Sequence, residues 1–268
     1  MNSLPEISTS RSAAVLWLEG LARQAAANRL AHFDLLLDAT GLPTPLPPAP
    51  AEQPSARLFD GTPEQTLAEQ GPHLRRFRLD DPRQLDAARN LAASLDCARL
   101  LALFSPWRFD ALAAHLRHCS QAHWGRAGHG GLLRYYDPRL FQLCSDMLLP
   151  AQAEWFHAPA IAWHWRDGAG QSRELAGRPC RQEELAAPLP ALQLNDGQLF
   201  ELLAWSEAVW FCERQALASA SLGFASETAL HRHIVHGLAA ARRERIDEAG
   251  REDFLLGWLE RQKSGTSV

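Results

Sequence analysis

Residues 132–141, LLRYYDPRLF, join an apolar run to Asp137-Pro138, and the reading of that junction decides the fold. A side-chain oxygen at a helix start accepts from an amide that has no partner within the helix, and proline costs nothing where no amide partner exists. The same step, apolar strand then capping residue then proline, recurs upstream. It occurs at ARLFDG before Thr62-Pro63, at RRFRLD before Asp81-Pro82 and at LLALF before Ser105-Pro106. Gln65 and Gln84 follow their caps by three residues, the capping-box spacing, and Gly71-Pro72 closes the first of these helices. The expected strands are Ala13–Leu18, Arg57–Phe59, Leu74–Leu79, Ala98–Phe104 and Gly131–Tyr136. Strands alternating with helices imply a sheet covered by helices.

Outward from this frame, QAAANRLAHFDLLLDATG, residues 24–41, reads as a helix stopped by Gly41 and Pro43. Residues 43–54, PTPLPPAPAEQP, are too rich in proline for a helix or a sheet interior and read as an extended surface connection. Residues 160–176 read as a hairpin turning at Asp167-Gly168, with Trp163 and Trp165 on one face and Ala162 and His164 on the other. After Pro188 and Pro190 the pattern becomes helical. Asn195 with Gln198 makes a capping box ahead of the stripe Leu199, Leu202, Leu203, Val209 and Trp210, and two further helical stretches follow. The expected fold is therefore an α/β (α+β) lobe over residues 13–178, a mixed sheet covered by helices, and an all-helical lobe over 179–268.

Composition narrows the function classes. The chain has 268 residues, 46% hydrophobic and 22% charged, with Lys+Arg 27 against Asp+Glu 31. A net charge of −4 is not that of a nucleic-acid binder. Lys263 is the single lysine, which leaves no Schiff-base or phosphate-loop lysine elsewhere. The acidic excess lies from residue 180 onward, 13 acidic side chains against 9 basic ones. Cys97, Cys119, Cys144, Cys180 and Cys212 are odd in number, widely spaced and without a C-x-x-C, which suits a reducing compartment. MNSLPEISTSRS lacks the basic start and apolar run of a secretory signal, and no apolar run is long enough to span a membrane. A cytoplasmic protein without a membrane partner is expected.

Signatures of dinucleotide, P-loop, nucleophile-elbow and zinc-hydrolase sites are lacking. The best metal candidate is His115, Cys119 and His123, spaced to share one face of a helix, with His231, His233 and His236 weaker. The first group lacks an obvious carboxylate partner and an exposed polar helix face explains the second as well, so no metal or cofactor is expected; a metal-dependent hydrolase using His115, Cys119 and His123 is the enzymatic alternative. Nine tryptophans are a heavier signal, because exposed tryptophans anchor interfaces. Trp163, Trp165, Trp205, Trp210 and Trp258 are the candidates for binding. A generic peptide-binding module using the proline-rich loop or the Trp163/Trp165 face is a further alternative.

The junction holds both tyrosines of the chain, Tyr135 and Tyr136, between Arg134 and Asp137-Pro138-Arg139. Arg139 sits in the first turn of a helix, where a cation is unfavourable, so it needs an acidic partner such as Asp137. Taken with Leu58, Phe59 and Gly61, with Gly71, Pro72 and Leu74, and with Phe104, Ser105 and Pro106, this corner resembles the adaptor or chaperone family of bacterial type VI secretion systems, first catalogued as a domain of unknown function. The resemblance covers roughly residues 13–165. WLEG at 17–20 and the length of the proline-rich loop depart from the family pattern. The resemblance implies a non-enzymatic cytoplasmic protein that holds a toxic effector by its N-terminal region and helps load it onto the secretion spike. It implies that the helical lobe carries the specificity for the cargo.

Overall fold

A computed structural model describes residues 5–95, 99–167, 170–184 and 189–263. The first element is a helix, α1 (Pro5–Ala27), followed by strand β1 (His32–Asp38). Both correct the sequence reading. AAVLWL was expected as a strand, but Ala14, Trp17, Leu18, Leu21 and Ala25 are buried at helical spacing. HFDLLLD was expected within a helix, yet it is a strand buried on both faces, so it shows no alternation to separate it from a helix. The helix stops at Asn28-Arg29, where Arg29 adopts φ 58°.

Strands β2 (Ser55–Arg57), β3 (Pro72–Arg78) and β4 (Leu100–Phe104) follow, with helix α2 (Pro82–Leu95) between the last two. Then come α3 (Phe109–Cys119), β5 (Gln121–Trp124), β6 (His129–Leu132), α4 (Pro138–Met147) and α5 (Pro150–Phe156). The hairpin is β7 (Ala162–Arg166) and β8 (Ser172–Ala176); Asp167 accepts from the Gln171 amide, and Gly168 lies outside the described residues, as do Ala98 and Pro188. A six-stranded sheet runs β2-β3-β1-β4-β7-β8, and every pairing in it is antiparallel. A smaller sheet of order β6-β5-β9 includes β9 (Leu192–Leu194). The class is α+β.

The large sheet is covered on both faces. On the first, Phe33, Leu35, Leu37, Phe77, Ala102 and Phe104 lie under α1 and α2. On the second, Phe141 of α4 packs on Trp163 and Trp165, with centroids 5.0 Å away in each case. Asp34 of β1 and Arg76 of β3 face each other on this second side and form a buried ion pair.

Of the four cap-proline steps, two start helices where expected. Asp81 accepts from the Arg83 amide at α2, and Asp137 accepts from the Arg139 amide at α4. Thr62-Pro63 instead precedes a 3-10 run, Gln65–Gln70, and Ser105 holds the Trp107 amide while α3 begins only at Phe109. Gln84 accepts from the Arg78 amide, tying α2 to the end of β3 rather than closing a capping box. The proline-rich loop is fastened to the sheet: Arg75 donates to the Pro47 carbonyl, and buried Gln53 donates to the Arg76 carbonyl. It is a laid-down connection, not a free ligand.

The chain divides into two compact units, one of residues up to His123 with Gly128–Gln193, the other of Trp124–Ala127 with Leu194 onward. The division thus falls at residue 193, not 178. The second unit consists mainly of α6 (Asp196–Arg214), α7 (Glu227–Arg243) and α8 (Glu248–Lys263) around Ala208, Phe211, Leu230, Ile234 and Leu255. The capping box at Asn195 and Gln198 is formed in both directions.

Candidate functional site

The unusual corner is built at one end of the large sheet, where β1 finishes and β3 begins. Leu133 to Asp137 leave the small sheet after Leu132, so the expected strand through Tyr136 is shorter than its apolar run. Asp137 has its side chain buried and is gripped twice. Arg139 donates to it through Nε at 2.9 Å and a terminal nitrogen at 2.7 Å, and Arg134 approaches at 3.3 Å. Arg134 also reaches Asp38, whose side chain is buried, at 3.4 Å. The acid expected for Arg139 is therefore Asp137, and a second carboxylate, Asp38, is recruited from β1. That residue was not singled out in the sequence; the only sign was an acid closing an apolar run.

The two tyrosine rings meet edge-on at 5.9 Å. Tyr135 donates to the Leu116 carbonyl at 2.8 Å and meets Phe156 edge-on, while Tyr136 meets Phe59 edge-on at 6.1 Å. Burial pushes both phenols well above the ordinary tyrosine range. The hydrogen bond to Asp137 raises Arg139 further. Phe59 in turn lies against Gly71: a Cβ there would stand 2.4 Å from its ring. Leu58 donates its amide to the Pro72 carbonyl, and Gly61 turns the chain at φ 77°. Leu58, Phe59, Gly61, Gly71 and Pro72 are thereby joined to Arg134–Arg139 in one cluster. Ser105 and Pro106 are not part of it; they follow β4 at the other end of the sheet, where the Ser105 carbonyl meets His32.

Residues 35–154 match the family model described as Domain of unknown function (DUF4123). The DUF4123 match runs from within β1 into α5 and contains the whole cluster, while α1, the β7–β8 hairpin and the second unit's run from Leu194 onward lie outside it. No curated protein and no solved structure matches the chain.

Within the DUF4123 segment, packing explains the glycine. Gly71→Ala is expected to push Phe59 off Tyr136 and cost about 1–3 kcal/mol, the usual range for overpacking. Thermal unfolding of the variant checks this, and trimming the ring with Phe59→Leu should recover part of the loss.

The other sequence candidates separate. His115 is buried and its Nε2 meets the Phe156 carbonyl at 3.3 Å; Cys119 is fully buried, which raises its thiol; His123 lies on β5 beyond the helix end. The helix ends too early for the three to share a face, and among the described residues no group of three or more His, Cys, Asp or Glu is placed to hold a metal. His233 stands between Phe224 and Trp258, and His231 lies edge-on to Trp205.

Trp163, Trp165 and Trp205 are buried core residues, so they offer no surface as anchors. The two on β7 share a face as expected, but that face is covered by Phe141. Trp258 is half-buried and donates to the His233 carbonyl. Trp210 is 71% exposed, and Leu203, two turns earlier on α6, is 60% exposed. Among the described residues no helix is long and apolar enough to cross a membrane.

Proposed function

We propose that this chain is a cytoplasmic, non-catalytic adaptor that binds a type VI secretion effector and promotes its loading onto the spike. The DUF4123 match over residues 35–154 carries the reading, because it coincides with the motif cluster on which the resemblance to type VI adaptors rests. The corner supports a scaffolding role: its carboxylates are buried and ion-paired with Arg134 and Arg139, an arrangement that holds a loop in place. The outward Leu203 and Trp210 supply an apolar strip of the kind that anchors protein partners.

A tagged pull-down from the native cytoplasm, with mass spectrometry, tests the reading. Stoichiometric recovery of a toxin-like effector is expected; recovery of none from cells shown to express the secretion apparatus would overturn it. Trp210→Ala should leave stability within about 0.5 kcal/mol of the parent, as surface substitutions do. It should weaken effector capture by about tenfold, the order lost with one hot-spot tryptophan.

A further inference from the structure

Arg75 and Arg76 are neighbours on β3 and face opposite sides of the large sheet. Arg76 is fully engaged: its Nε and Nη2 hold Asp34, and its Nη1 holds the Trp107 carbonyl. Arg75 stands opposite Leu35 on β1 and Ser55 on β2, so its side chain shares the face that α1 and α2 cover. It is 5% exposed, and the proline-rich loop lies against it, with Leu46 packed on the same core. Among the described residues its one hydrogen bond runs from Nη2 to the Pro47 carbonyl, a neutral acceptor. Nε is buried and bonded to nothing, and Nη1 makes no hydrogen bond either.

A guanidinium stays protonated, and a buried charge is ordinarily paired. Other arginines of the chain are raised by the acids beside them: Arg57 by Asp60 and Glu69, Arg78 by Asp80, Arg139 by Asp137. Arg75 is lowered, and burial is the whole cause. Glu52, the acid of the proline-rich loop, is exposed and forms no ion pair with it. His73, two residues away on the same face, is held below its ordinary range, chiefly by burial, and adds no charge at neutral pH. Arg57, opposite His73 on β2, is already taken by Asp60 and Glu69. One uncompensated cation is left.

We propose that Arg75 is the binding site for a carboxylate of a partner molecule, taken at Nη1 beside the proline-rich loop. One carboxylate neutralises one cation, and the planar guanidinium matches its two oxygens in a charge-assisted pair stronger than a bond to a neutral carbonyl. A phosphate would bring nearly two charges and find no second free cation here. Ser55, across from Arg75 on the exposed end of β2, places a hydroxyl donor on the same face. The site needs nothing of the adaptor reading and is tested without an effector.

The probes are sodium acetate and a capped Leu-Glu-Leu peptide, each added to the nitrogen-15-labelled full chain at neutral pH and constant ionic strength. The Arg75 Nε–H resonance, identified by its loss in Arg75→Met, is expected to shift saturably with both. That of Arg78, whose guanidinium Asp80 already holds, should stay in place. A matched peptide with glutamine for glutamate should move neither. Binding tighter by about tenfold or more for the glutamate peptide than for acetate assigns the carboxylate to a protein side chain, and equal binding assigns it to a small acid. Arg75→Met, which removes an uncompensated charge, should unfold in urea at the parent's midpoint or above it. No shift with either probe, an equal shift with the glutamine peptide, or an Arg75→Met midpoint well below the parent's would overturn the proposal. Tighter binding by Glu52→Gln would show that the loop's own acid occupies the site, which would overturn the external partner.

Discussion

Arg76→Ala is expected to cost about 3–5 kcal/mol of folding stability, the usual result of removing one partner from a buried ion pair. Arg76 donates to Asp34 at 2.8 and 2.9 Å, to the Trp107 carbonyl at 3.0 Å, and lies over the Phe109 ring. Asp34 is wholly buried between strands β3 and β4, and burial pushes its carboxyl up while Arg76 pulls it back. Without the guanidinium the acid must stay charged in an apolar setting or take up a proton, and either is costly. Replacing both residues, Asp34→Leu with Arg76→Met, should recover most of the loss, because apolar pairs of similar volume often match buried ion pairs. Urea unfolding of the two variants checks both statements. An Arg76→Ala protein within about 1 kcal/mol of the parent would refute the account.

Acid should destabilise the first unit well above the range in which carboxylates titrate. Burial, chiefly, lowers His115 and His157 to about 4, helped by His118 for the first and by Arg178 and His115 for the second. Each has an Nδ1 without a hydrogen-bond partner, so neither is prepared to hold a second proton. The unfolded chain binds those protons near pH 6.5 and the folded one only near 4. Stability is therefore complete above about pH 6.5 and is lost progressively down to about pH 4. At about 1.4 kcal/mol per unit, each histidine taken alone accounts for roughly 3 kcal/mol of that loss. Denaturation midpoints measured across this window test the slope, and His157→Gln should make it shallower by the share that His157 carries. A flat profile between these limits would show that the histidines are not buried neutral groups.

The parts of the fold that were legible in the sequence are those fixed by neighbours in the chain. Asp137-Pro138, Asp81-Pro82 and the Asn195/Gln198 pair start helices where their residue types say they should, because a cap needs only the next three amides. The same logic overreached at Ser105-Pro106. There the hydroxyl holds a single amide in a turn, and the helix waits for Phe109. The strand β1 was hidden because both its faces are buried, and a continuous apolar run has no period. For the candidate site, the motif residues were visible, but their meeting was not. Phe59 finds Tyr136, and Arg134 finds Asp38, only through the pairing of β1 with β3 and the return of the chain after β6. Tryptophan burial was equally unreadable: Trp163 and Trp210 differ in neighbours that are far away in sequence.

The helical unit draws on two stretches of chain, the four residues Trp124–Ala127 from the end of β5 into the turn before β6, and the run from Leu194 onward. Exchange of the helical unit between homologous chains has to respect that split. A chimera joined at residue 194 alone would place donor helices beside the recipient's hairpin tip, with a mismatched piece inside one compact body. Exchanging residues 124–127 together with the C-terminal segment moves the unit as a whole, so the natural graft has three junctions rather than one.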